Sequence, residues 1–164
     1  MVIFLHPDHK LYTPEDVDSL LSTEFLDENE EPELFELVKT LMVHNPCGPE
    51  HHSADAPCQV NGKCSKSFPK SFHDQTTVND NSYANLQRCD IGKTFEVRGH
   101  QVNNLWVVAH CRYLIWKYCC HINVESIASI KAIKYIYKYV YKGHDCTTMK
   151  FGCCQDEVKL YLDS

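Results

Sequence analysis

Apolar residues recur at helical spacing in three parts of the chain, which predicts three helices. The first, at 14–21, follows Thr13, whose hydroxyl suits a helix cap, and it starts with proline. The second opens at Pro32 and ends before the Asn-Pro pair at 45–46, since a residue that precedes proline avoids helical geometry. The third spans 124–143, where isoleucines, valine and tyrosines follow the helical period up to a capping glycine.

Shorter apolar runs predict strands. Residues 1–5 are wholly apolar and 113–124 are apolar and aromatic, which is typical of buried strands. Runs at 94–98 and 105–109 are connected through glycine and asparagine, so they predict a hairpin. Together these elements predict an α+β fold: a central, mostly antiparallel sheet with packed helices and a cysteine-rich insertion that could bind zinc.

Residues 44–90 form the cysteine-rich insertion. They have little periodicity, and a long irregular segment in a compact domain needs something to hold it. One imidazole and three thiols fall within 21 positions, the ligand set of a structural zinc site: His44, Cys47, Cys58 and Cys64. The alternative is a group of buried free thiols beside a helix-capping histidine. Residues that could replace a misassigned ligand are Cys89, Cys111, His51, His52 and His73.

The composition favours one globular domain, because 43% of the 164 residues are hydrophobic and glycine and proline are few. Neither a run of about 18 apolar residues nor a basic-then-apolar leader occurs, so we expect no membrane span and no secretion. The ten cysteines then favour metal ligation or reduced thiols over disulfides. Residues 61–150 hold thirteen basic and six acidic side chains, and this charge of +7 is compatible with a polyanionic partner.

The predicted helix at 124–143 carries a candidate nucleophilic surface. On a helical wheel, Tyr135 and Tyr139 lie one turn apart on a basic face, whose lysines are Lys131, Lys138 and Lys142. A tyrosine can attack a phosphodiester when cations favour its phenolate and a divalent metal neutralises the phosphate. Two such tyrosines could each hold one DNA end. The alternative is a solvated lysine face with two snorkelling tyrosines.

Three polar residues alternate with apolar ones just before this helix. On a strand, His121, Asn123 and Glu125 would share one face. They could be the exposed face of an edge strand, or they could ligate or support a metal beside the tyrosine helix.

Five stretches together resemble the Rep-type endonuclease domain of Helitron transposases, also described as the Helitron helicase-like N-terminal domain. They are residues 34–47, 58–70, Glu-Val-Arg-Gly-His at 96–100, His-Ile-Asn-Val-Glu at 121–125, and 131–145. The match runs over nearly the whole chain and includes long, uncommon strings. By this resemblance, residues 1–164 are a single, partial Rep-type endonuclease domain.

The resemblance implies a function in rolling-circle transposition. Members of this family nick single-stranded DNA and form a 5′-phosphotyrosine link, and Tyr135 and Tyr139 match their paired nucleophiles. It also implies Mg²⁺ or Mn²⁺ at the nicking site of the complete domain, a helicase domain in the same polypeptide, and a nuclear location.

The chain departs from the family pattern in one catalytic feature. A His-hydrophobic-His metal motif precedes the strand that residues 1–5 resemble, and no such string occurs here, nor does His6 replace it. We therefore expect a truncated copy with negligible nicking by itself. The G-x-x-x-x-G-K-[ST] string of a nucleotide-binding helicase is also missing from the sequence. The alternative function is a non-catalytic, zinc-stabilised DNA-binding module.

Overall fold

The computed structural model describes residues 5–48, 51, 56–78 and 84–126, all within one compact unit. Three α-helices lie in these ranges: α1 (Pro14–Leu20), α2 (Pro32–Leu41) and α3 (Arg112–Tyr118). The strands are β1 (Gln59–Val60), β2 (Lys63–Cys64), β3 (Phe95–Val97) and β4 (His100–Val102), and 3-10 turns occur at Pro7–His9 and Asn104–Trp106. The predicted α+β class is confirmed. None of the helices described is both long and apolar enough to span a bilayer.

The antiparallel pairing takes the form of small hairpins and bridges. In the described ranges there are two two-stranded sheets, β1–β2 and β3–β4. Isolated antiparallel bridges extend the pairing at Ser22–His110, Val43–Val107, His73–Arg88 and Thr77–Asn85. Two of these bridges, His73–Arg88 and Thr77–Asn85, lie within the cysteine-rich insertion, and the other two lie outside it.

The predicted starts of the first two helices are confirmed. Thr13 accepts a hydrogen bond from the Asp16 N–H at 3.1 Å, and the Asp16 carboxylate accepts one from the Thr13 N–H at 2.9 Å. This reciprocal pair is a capping box, which satisfies two amides that the first turn of α1 leaves without partners. Helix α2 begins at Pro32 as predicted and ends at Leu41, before the Asn-Pro pair.

The two hairpins turn through two residues each, and both residues have positive φ. In β1–β2 the turn is Asn61 (φ 52°) and Gly62 (φ 74°), and in β3–β4 it is Arg98 (φ 51°) and Gly99 (φ 79°). Positive φ at both central residues defines the type I′ turn, whose twist matches that of the strands and which favours Asn-Gly.

The main core lies between α2, α3 and the β3–β4 hairpin. Its buried members are Phe25, Leu26, Phe35, Val38, Met42, Val43, Val97, Val102, Trp106, Val107 and Ile115. Phe95 joins this core from β3, and its ring centroid lies 4.6 Å from Phe25 and 5.2 Å from Phe35. The Phe35–Phe95 pair is edge-to-face, an arrangement that aromatic pairs prefer, and the Phe25–Phe95 pair is tilted.

A buried arginine joins the insertion to the core. Arg88 is 6% exposed and donates to the backbone carbonyl oxygens of Thr23, Asn104 and Val107. Burial lowers the pKa of its guanidinium to about 10, and the nearby carboxylate of Glu24 acts in the opposite direction. Since three carbonyl oxygens share this one side chain, Arg88 satisfies backbone groups that would otherwise be buried without partners.

Two sequence-based predictions between residues 94 and 124 are wrong. The predicted strand at 113–124 is helical over Arg112–Tyr118, because Ile115 points into the core while its aromatic neighbours face outward. The predicted strand at 105–109 begins as the 3-10 turn Asn104–Trp106, so β3 pairs with β4 (His100–Val102) instead.

Candidate metal centre

Backbone pairing holds His44 three residues beyond the end of α2. The His44 N–H donates to the Trp106 carbonyl oxygen at 2.8 Å, and the Val108 N–H donates to the Met42 carbonyl oxygen at 2.7 Å. These two bonds flank the Val43–Val107 bridge. They fix the direction of the chain as it enters the candidate centre.

The turn of the β3–β4 hairpin holds the chain between α2 and the next ligand. Arg98 donates to the Thr40 carbonyl oxygen at 2.7 Å and to Asn45 Oδ1 at 2.6 Å. Cys47 follows and is buried, and Gly48 then turns the chain at φ 106°. Side chains rarely adopt this φ, so glycine is the residue that suits this position.

The β1–β2 hairpin supplies the other two thiols. Its Asn61-Gly62 turn places Cys64 on β2 opposite Gln59, the residue that follows Cys58. The Ser65 N–H donates to the Cys58 carbonyl oxygen at 2.7 Å, which holds the hairpin closed next to both cysteines. Local turn chemistry therefore brings this pair of ligands together.

The four predicted ligands converge. One atom from each of His44, Cys47, Cys58 and Cys64 lies within 4.8 Å of the others, and the group could hold a metal ion such as zinc. The His44 Nε2 atom is 3.6 Å from Cys47 Sγ and 3.5 Å from Cys64 Sγ. A tetrahedral ion with metal–sulfur bonds of about 2.3 Å and metal–nitrogen bonds of about 2.0–2.1 Å requires a sulfur–nitrogen separation of about 3.6 Å. The observed separations fit that requirement.

The pKa values of two of the thiols are shifted in opposite directions. Burial raises the pKa of Cys47 to about 12, and its hydrogen bonds with Cys58 and Cys64 act in the same direction. Burial acts to raise the pKa of Cys64 too, but backbone N–H groups of Phe68 and Lys66 lower it overall. Amides that point at a sulfur stabilise its thiolate, which is the form that binds metals.

Aromatic rings enclose the imidazole. The His44 ring is stacked on Phe68 with a centroid separation of 4.4 Å and lies parallel to Trp106 at 6.4 Å. Burial lowers the pKa of His44, and the positive charges of Lys70 and His121 lower it further. A neutral imidazole with its Nε2 atom towards three sulfurs is the form required of a metal ligand.

Sequence reasoning found the four ligands but missed the groups that support them. For Phe68 the sequence offered a local signal, because Phe68 lies four residues after Cys64. The turn between them includes Ser67 at φ 57°. Backbone amides two and four residues beyond a ligand cysteine are in reach of its sulfur in such a turn. No local signal existed for Trp106, because it reaches His44 through tertiary strand pairing.

The polar trio before the predicted tyrosine helix is exposed. His121, Asn123 and Glu125 alternate with half-buried neighbours, so they share an outer face as predicted, although they do not form a strand. His121 Nδ1 is 2.7 Å from the carbonyl oxygen of Leu41, and Asn123 donates to Glu125 at 3.1 Å. The charge of His121 acts on the pKa of His44, but His121 is not one of the four converging ligands.

The alternative ligands lie elsewhere. Cys111 is buried against Val17 in a second, smaller core, and Cys89 accepts a hydrogen bond from Gln87 at 3.0 Å. The His73 ring lies 3.0 Å from the Ser71 hydroxyl. His51 contacts the edge of Trp106 at 5.5 Å, and His52 lies outside the described residues.

The candidate nucleophiles and their basic face also lie outside the described residues. These residues are Tyr135, Tyr139, Lys131, Lys138 and Lys142. Positions 1–4 of the strand predicted at 1–5 also lie outside the described residues. The functions assigned to them remain predictions.

The fold and site define an α+β unit with a candidate Cys₃His metal centre. Neither the protein-family models nor the curated proteins that were searched give a match to this chain.

Proposed function

We propose that His44, Cys47, Cys58 and Cys64 form a structural zinc site. The observation that supports it is the pair of nitrogen–sulfur separations, 3.5 and 3.6 Å, which a tetrahedral zinc ion requires. Four protein ligands leave no open position for a substrate, so the ion stabilises the fold and does not catalyse.

Elemental analysis of the purified chain tests this proposal. The expected result is one equivalent of zinc, lost in Cys64→Ser and retained in Cys119→Ser, because Cys119 is an exposed cysteine on another part of the surface. Less than half an equivalent in the unmodified chain, or equal loss in both variants, would refute the site.

We propose further that this metal-stabilised unit belongs to a Helitron Rep-type domain that nicks single-stranded DNA. Two of the stretches that carry the resemblance meet at the candidate centre: 34–47 supplies His44 and Cys47, and 58–70 supplies Cys64. In this proposal Tyr135 and Tyr139 form the 5′-phosphotyrosine links. The same proposal includes Mg²⁺ or Mn²⁺ at the nicking site, a helicase in the same polypeptide and a nuclear location.

Incubation of the chain with single-stranded DNA and Mn²⁺ separates binding from chemistry. We expect salt-dependent binding without a covalent adduct, because the sequence contains no His-hydrophobic-His string. An adduct that disappears in the Tyr135→Phe/Tyr139→Phe double variant would overturn the expectation of inactivity and support the nucleophiles. The absence of DNA binding at low salt would refute the family assignment.

The second candidate is a non-catalytic, zinc-stabilised DNA-binding module. The charge of +7 over residues 61–150 favours this second candidate, because positive side chains attract DNA phosphates and binding requires no nucleophile. The genomic sequence upstream of Met1 distinguishes the two candidates. An in-frame His-hydrophobic-His string supports a nicking enzyme, whereas its absence supports the binding module.

A further inference from the structure

Helix α3 turns its aromatic side chains to the surface. Tyr113, Trp116 and Tyr118 are 58%, 59% and 56% exposed, whereas Ile115 is fully buried and Leu114 is partly buried. The aliphatic residues of this helix therefore pack into the core, whereas its three aromatic rings are exposed. We refer to Tyr113, Trp116 and Tyr118 together as the aromatic face.

A lysine lies between two of these rings. Lys117 Nζ is 5.4 Å from the centroid of Tyr113 and 5.5 Å from that of Tyr118, which are cation–π distances. No aspartate or glutamate occurs from 109 to 124. Arg112 is paired with Glu31 at 3.1 Å, whereas Lys117 Nζ donates to the Tyr113 hydroxyl at 3.2 Å and has no carboxylate partner among the described residues.

The chain beyond the carboxyl end of α3 returns to the end of α2. Cys119 ends the helix in left-handed geometry at φ 46°, and the chain then reaches the end of α2 through His121. Lys70 lies at the metal centre, because its Nζ is 5.0 Å from the centroid of Phe68, the ring that stacks on His44. These contacts place one lysine beside the exposed rings and another beside the metal centre.

The opposite edge of the aromatic face is acidic. Trp116 and Tyr113 line an open groove of about 430 Å³ together with Glu31, Glu33 and Arg112. Carboxylates repel phosphate, but they accept hydrogen bonds from the N–H groups of bases, which include N3–H of thymine and uracil. A strand bound here would therefore have its bases over the rings and its phosphates towards Lys117.

We infer that the aromatic face of α3 is a stacking surface for single-stranded nucleic acid. Exposed aromatic rings beside a cationic path are the features that proteins use to bind single strands without reading their sequence. The inference rests on the proposed function, in that it places the single-stranded partner on a defined surface. The bases stack on Trp116 and Tyr113, and Lys117 contacts the backbone.

The test measures the affinity of the zinc-loaded chain for fluorescein-labelled dT12 and rU12 by anisotropy. One stacked base lost from Trp116→Ala should weaken binding about 5- to 150-fold. Trp116→Phe, which keeps a ring, should lose much less. The matched control is Tyr12→Ala, since Tyr12 is 70% exposed but lies near α1. Zinc content and far-ultraviolet circular dichroism check that each variant is folded.

Two further readouts report on the mechanism. Oligonucleotide should quench tryptophan fluorescence, and Trp116→Phe should remove that quench because Trp106 is only 7% exposed. Lys117→Gln should reduce the slope of log affinity against log salt by about 0.7, the value for one phosphate contact on a single strand. Similar effects with dT12 and rU12 mean a surface for either nucleic acid, and an effect with dT12 alone restricts it to DNA.

The outcomes separate the two levels of the proposal. If the unmodified chain binds dT12 and the Trp116→Ala/Tyr113→Ala double variant binds equally well, the stacking surface is refuted and DNA binding stands. If the unmodified chain binds neither oligonucleotide at low salt, both the surface and the proposed function fail. Self-association that depends on Trp116, without oligonucleotide binding, would assign the aromatic face to a protein contact and refute the inference.

Discussion

Removal of the metal should loosen one segment of the chain and leave the main core in place. Residues 56–73 are all described by the structure, and none of their side chains is buried. Their amides bond largely to one another, as in Ser65 N–H to the Cys58 carbonyl oxygen and Ser67 N–H to the Cys64 carbonyl oxygen. Phe68 is only partly buried against the core, so ligand–metal bonds are expected to offset most of the ordering entropy of this segment.

The expected magnitude follows from binding linkage. A site kept at free zinc 1,000 times its dissociation constant stabilises the bound state by about 4 kcal/mol, which corresponds to about 1,000-fold protection from local opening. Chelation should therefore accelerate hydrogen exchange of the Ser65 and Ser67 amides by up to that factor. The Met42 amide is the internal control, because it bonds to Val38 at 2.8 Å within fully buried surroundings.

Hydrogen exchange followed by NMR, with and without EDTA, measures both amides in one sample. Exchange at Ser65 and Ser67 that does not respond to EDTA would show that the segment is ordered by something other than the metal. Equal acceleration at Met42 would show that the metal stabilises the whole unit, and the local argument would then be wrong. Cys119→Ser should respond to EDTA as the unmodified chain does.

Three further predictions concern stability. Met42→Ala removes a fully buried side chain and should lower the free energy of unfolding by about 2–5 kcal/mol in urea titration; a loss under 1 kcal/mol would contradict the core described here. Thr13→Ala breaks the capping box and should cost about 0.5–2 kcal/mol in the same titration, whereas Thr13→Asn should be nearly neutral. Burial lowers the pKa of His110, so the unfolded chain binds its proton more readily. Melting temperature should therefore fall as pH drops below about 6.5, and more steeply in the unmodified chain than in His110→Gln; equal slopes would refute this.

Local chemistry made the starts of α1 and α2 predictable from sequence. Thr13 caps α1 and is followed by proline, and Pro32 starts α2 without a side-chain cap; both signals act within one turn and need no distant residues. The hairpin that carries Cys58 and Cys64 is similarly local, because its Asn-Gly turn closes over two residues. These are the parts of the candidate site that spacing alone could predict.

Helix α3 was not predictable by the same reasoning. Pattern analysis counts Tyr113 and Trp116 as apolar and expects them to be buried, yet both are more than half exposed. The segment therefore looked continuously apolar, which is typical of a buried strand. A helix whose outer face is aromatic violates the usual pattern, and such violations are expected where a surface has a function to perform.

The metal centre and the aromatic face are linked through the end of α2. Helices α2 and α3 pack side by side, with Arg112 paired to Glu31 at their starts and His121 bonded to Leu41 at their ends. The centre fixes the chain that leaves α2 at Leu41. Because His121, in the loop after α3, bonds to that same carbonyl oxygen, a metal at the centre would also hold the end of the helix that carries the exposed rings. A structural metal would thus contribute to binding without contacting the bound strand.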